Sequence, residues 1–77
     1  MSEVGNMERI SVDPAVGGGK PCVRGHRIWV SLVLGMLAEG VTVEEVLAEY
    51  PQLEDADVRA CIAYGAVLAS GHFVDIM

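Results

Sequence analysis

The side chains best suited to chemistry are Cys22, His26, Cys61 and His72, four donors of the kind that bind zinc. Structural zinc sites usually pair ligands two to four residues apart at both ends, and these spacings match no common site. Cys61 stands between apolar positions and reads as a small core residue. Gly17-Gly18-Gly19-Lys20 invites a phosphate-loop reading, but that motif needs glycine at position 14 and Ser or Thr at position 21. Prolines occupy both places and no helix follows, so the run reads as a flexible hairpin connection. His26 lies in a turn-rich region and His72 near the C-terminus, and no nucleophile sits in an activation motif. The many carboxylates cluster at helix starts or on an outward helix face, where capping and solvation account for them. A binding protein is expected rather than an enzyme, with no catalytic residue, no cofactor and no metal.

The bases are unevenly placed. Residues 1–30 carry Arg9, Lys20, Arg24 and Arg27 against Glu3, Glu8 and Asp13, whereas Arg59 alone opposes eight acids from residue 31 onward. A net charge of −6 opposes avid nonspecific binding to nucleic acid, which depends on Lys and Arg neutralising phosphates. If DNA is contacted, Arg9, Lys20, Arg24 and Arg27 are the candidates.

These groups must be positioned by one small domain, because the chain has 77 residues. With 52% hydrophobic and 21% charged residues it has the composition of a folding chain. A domain this short buries only about 60% of its unfolded surface, which favours a second copy as supplement. Acids at the N-terminus and the absence of an apolar run behind them argue against a signal peptide, and the cytoplasm is expected. In that reducing compartment Cys22 and Cys61 are expected as free, partly buried thiols. The apolar stretch from Ile28 to Ala38 falls short of the roughly 20 residues that cross a bilayer, so no membrane association is expected.

Residues 1–8 are expected as a flexible terminus, 9–70 as the domain and 71–77 as an apolar tail that needs a partner surface. Arg9 to Val12 alternates in the period of a half-buried strand, and Cys22 to Ile28 reads as further extended segments. Val30, Val33, Leu34 and Leu37 recur at helical spacing, with Ser31 suited to cap the start and Gly40 the end. Leu32 and Met36 lie on a second face of that helix. Thr42-Val43-Glu44-Glu45 is a capping box opening a second helix with the stripe Val43, Val46, Leu47 and Tyr50, which Pro51 ends. A third helix starts among Glu54, Asp55 and Asp57, carries the stripe Val58, Ile62, Ala66 and Ala69, and runs to about Ser70. The expected fold is mainly α, a three-helix helix-turn-helix-like bundle with a short N-terminal β element. In a DNA reader the last helix would present bases to the duplex, whereas its first turn here is acidic.

The run Ile10-x-x-Asp13-Pro14, then Gly19-Lys20-Pro21-Cys22-Val23-Arg24-Gly25-His26-Arg27-Ile28-x-Val30, resembles the domain-of-unknown-function family numbered four hundred and thirty-three. Gly40-x-Thr42-x-Glu44-Glu45, Tyr50-Pro51-x-Leu53 and Asp57-Val58-x-Ala60-x-Ile62-x-Tyr64 extend the resemblance from about Arg9 to Ala66. The chain departs at His26, where the family usually has threonine, and at Glu54, where it has Thr or Ser; Asp55 is then the expected cap one residue later. The resemblance implies a winged or plain helix-turn-helix-like domain of the antitoxin type, often encoded beside a PIN-type nuclease toxin.

The leading expectation is thus an antitoxin-like homodimer that binds and occludes such a nuclease. Arg24 or Arg27 would enter the nuclease's metal-binding carboxylate cluster, with the tail residues Phe73, Val74 and Ile76 adding apolar contact. Trp29, Leu32 and Met36 are the expected dimer surface. The alternatives are a helix-turn-helix DNA-binding autoregulator and a structural interaction module without a nuclease partner.

Overall fold

A computed structural model describes residues 7–70. The expected tail residues Phe73, Val74 and Ile76, with His72 and the first six residues, lie outside the described residues. The chain is mainly helical, with a short antiparallel β element ahead of three helices: β1 (Ile10–Ser11), β2 (Cys22–Val23), α1 (Val30–Ala38), α2 (Val43–Glu49) and α3 (Asp55–Ser70). Ile10 pairs with Val23 and Ser11 with Cys22. Cys22 also bridges to Trp29, so three short extended segments lie side by side.

The strand expected over Arg9 to Val12 contracts to two residues, and Met7–Arg9 forms a 3-10 turn before it. A ladder is only as long as its partner, and β2 ends where Arg24 and Gly25 turn the chain. There the His26 N–H donates to the Val23 carbonyl at 2.9 Å, and Gly25 takes φ 86°, the left-handed third position of a type II turn. The glycine triplet forms a 3-10 turn, Gly17–Gly19, within the connection expected from its composition. Gly17, at φ 65°, has no room for a side chain: a Cβ there would sit 2.5 Å from Cys22 Sγ and 3.1 Å from Trp29 Nε1. The Trp29 indole N–H donates to the Gly17 carbonyl at 3.0 Å and closes the loop onto α1.

Helix α1 begins at Val30, with Trp29 as N-cap and no side-chain cap, so the expected cap at Ser31 does not form. The Val30 N–H instead donates to the Pro21 carbonyl at 2.9 Å, and the cap falls two residues earlier than expected, which leaves Ser31 inside the first turn. Its end is a Schellman motif: Gly40, at φ 96°, donates to Leu37 O and Val41 donates to Met36 O, each at 3.0 Å. The capping box of α2 is complete, with Thr42 N–H on Glu45 Oε1 at 2.9 Å and Glu45 N–H on Thr42 Oγ1 at 3.1 Å.

The core lies where the three helices pack against the β element, and its fully buried centre is Val23, Val33, Val46, Val58, Ala60 and Cys61. Gly65 permits this approach, since a Cβ there would come within 3.0 Å of Leu34 Cδ1. The stripe expected for α3 is only correct at Val58. Ile62 is 46% exposed, and Ala66 and Ala69 are exposed; Asp57, Val58, Ala60 and Cys61 are the buried set. The buried face therefore runs through Val58, Ala60 and Cys61 in the core, with Asp57 at its edge paired to Arg9. No described helix is long and apolar enough to cross a membrane.

Candidate functional site

The bases of the N-terminal region have three different fates. Arg9 Nη1 donates to Asp57 Oδ1 at 2.9 Å and to Glu54 Oε1 at 3.2 Å. Its guanidinium is held above its ordinary pKa, first by the Asp57 hydrogen bond and then by the Glu54 one. The Asp57 side chain is only 8% exposed. Its second oxygen accepts from the Glu54 N–H at 2.8 Å, the reciprocal half of a capping box. Asp55, the expected cap, lies in the first turn and pairs with Arg59 at 2.8 Å. Arg9 therefore ties the start of the β element to the first turn of α3.

Arg24 is committed as well. Its Nε donates to the Glu8 carbonyl and its Nη2 to the Ile10 carbonyl at 3.0 Å, so the side chain reinforces the edge of β1. Lys20 places its ammonium 4.1 Å from the centre of the Trp29 ring, an attraction between the cation and the negative face of the indole. Arg27 is exposed and makes no ion pair or side-chain hydrogen bond among the described residues.

Arg24 and Arg27 line an open cleft of about 320 Å³ together with Ser11, Asp13, Val16, Gly25 and His26. The cleft is built by two turns, one at residues 13–16 and the other at residues 24–25. Asp13 Oδ1 accepts from the Ala15 N–H at 2.9 Å and its carbonyl from Val16 N–H at 2.9 Å, fixing one wall. The Arg24–Gly25 turn forms the other. With two guanidinium groups against one carboxylate, it is a cationic concavity on an acidic chain.

The residues expected at a dimer surface divide. Leu32 is 39% exposed and borders a shallow groove with Ser31, Gly35, Met36 and Glu39. Trp29 is as exposed as Leu32, although its N–H is bonded to Gly17, whereas Met36 is half-buried against the core. Sequence reading passed over Val67 and Leu68, which are 51% and 57% exposed on the last turns of α3. Leu68 and Tyr64 border an apolar groove of about 210 Å³ against Val30 and Leu34. The signal was the absence of any charge after Arg59 in that helix.

Both cysteines are buried and free. Burial, and secondarily the negative charge of Asp57, pushes the Cys61 thiol up to about 11. It is therefore a protonated core side chain at neutral pH.

A model for the family described as "Protein of unknown function (DUF433)" matches residues 10–65. Comparison with curated proteins and with solved structures finds no match.

Proposed function

The chain belongs to the DUF433 family, and from that premise we propose that it is an antitoxin-like binding protein that docks its β element against a PIN-type nuclease toxin. The observation that carries the reading is the separation of charge. Arg24 and Arg27 converge at one concave site, while the remaining surface is dominated by acids. Such a face suits a partner whose working site is a cluster of metal-binding carboxylates, because opposite potentials steer and orient the encounter. Occlusion needs no chemistry from this chain. It requires only that the cationic face cover the nuclease's acids and exclude nucleic acid from them.

The division of roles among the bases sharpens the proposal. Arg24 serves β1, so Arg27 is the guanidinium available to the partner. A homodimer joined through the apolar surfaces of α1 and α3 would present two such faces. The acidic first turn of α3, with Glu54 and Asp55 exposed, disfavours the autoregulator reading in which that helix meets phosphates.

The test is affinity purification of the tagged full chain from its native host. Stoichiometric recovery of a small nuclease bearing a carboxylate cluster, silenced while bound, is the expected result. Recovery of the protein alone, or of DNA released by raising salt, would overturn it.

A further inference from the structure

We infer that the cleft on the β element is a socket for a single carboxylate carried by an acidic segment of the partner. The inference rests on the binding role proposed above but reverses its geometry: an acid enters this chain, where an arginine entering the nuclease was expected from sequence.

Three features point that way. First, one of the two donors is preorganised. Arg24 is pinned by the Glu8 and Ile10 carbonyls, so little side-chain freedom is lost when its remaining amino group meets a ligand. A guanidinium so held cannot extend into another protein. Second, the wall is open at the backbone. Gly25 has no side chain, and no atom lies within 4 Å of where its Cβ would be. The Gly25 and Arg27 N–H groups donate to no backbone carbonyl among the described residues. A carboxylate can thus accept from a guanidinium and from main-chain N–H groups together, the arrangement that makes charge-assisted bonds strong.

Third, the charge selects the ligand. Arg24 and Arg27 against Asp13 leave one net positive charge in the lining, which matches a monoanion. A phosphate dianion doubles the attraction to the two arginines and the repulsion from Asp13 alike, so the discrimination against it comes from the surplus of acids on the rest of the chain, which repels two charges more than one. The chain's overall charge of −6 further disfavours a polyanion, whose many phosphates reach beyond the local site.

The experiment follows backbone amide resonances of the full chain at fixed ionic strength during titration. The probes are a short glutamate-containing peptide with both termini blocked, its glutamine counterpart and inorganic phosphate. Saturable shifts confined to Ser11, Gly25, His26 and Arg27 with the glutamate peptide are expected. The glutamine peptide should leave them unmoved and phosphate should bind more weakly. Arg27→Gln should lower the glutamate peptide's affinity about tenfold, the size of one lost charge-assisted hydrogen bond, with the rest of the spectrum intact. Absent shifts, equal response to glutamine, or tighter binding of phosphate would overturn the assignment. Because the titration uses no nuclease, a carboxylate site that binds while purification recovers no nuclease refutes the antitoxin role alone. A recovered nuclease with a silent cleft refutes the socket alone.

Discussion

Cys61 ties a single buried atom to the stability of the whole domain. Its thiol is fully buried, and the folded state holds its pKa at about 11 against an ordinary value of 9.0. Between those values the unfolded chain loses the proton and the folded chain keeps it. The raised pKa therefore contributes stability that is complete below pH 9 and is lost as pH rises toward 11. The slope for one such group is at most about 1.4 kcal/mol per pH unit. Urea unfolding at pH 7 and pH 10.5 should show a larger loss for the wild type than for Cys61→Ala. The alanine variant starts less stable because of its cavity, so the difference between the two pH values is the quantity to compare. An equal loss in both proteins would show that other groups govern the alkaline limb.

At the scale of elements, one carboxylate joins what the local pattern leaves separate. Asp57 caps α3 through the Glu54 N–H and receives Arg9 from the far end of the chain. Asp57→Ala removes both roles and should cost roughly 2 kcal/mol, a lost cap plus a stranded partner. Asp57→Asn keeps an acceptor for the Glu54 N–H and should fall between the alanine variant and the wild type. The urea midpoint measures both, and a midpoint unchanged in Asp57→Ala would refute the tie. The capping box at Thr42, the glycine stop at Gly40 and the proline stop at Pro51 were legible because each acts within four or five residues. The buried face of α3 was not, because it depends on distant partners, among them Arg9, which meets Asp57 from 48 residues away. An acid in a first turn reads as a solvated helix-dipole partner until its long-range neighbour is known. Gly17 illustrates the same limit, since composition marks a turn but not the indole that closes it.

At the scale of the molecule, the asymmetry of charge was legible by counting, while the allocation of the bases was not. Four cations looked equivalent in sequence; the fold gives two to its own architecture, stacks one on Trp29 and leaves Arg27 at the cleft. The cleft itself could not be read, since it is assembled from two turns distant in sequence, one held by Asp13 and the other by the positive φ of Gly25. The central claim is that this cationic concavity carries partner binding. Its most direct test compares the affinity of wild type and Arg27→Glu for the co-purified nuclease, with thermal unfolding as the control for folding. The account predicts a loss of roughly a hundredfold or more, the scale of a reversed charge at a close pair, and an unchanged unfolding temperature. Equal affinity of the two proteins, at equal stability, would contradict it.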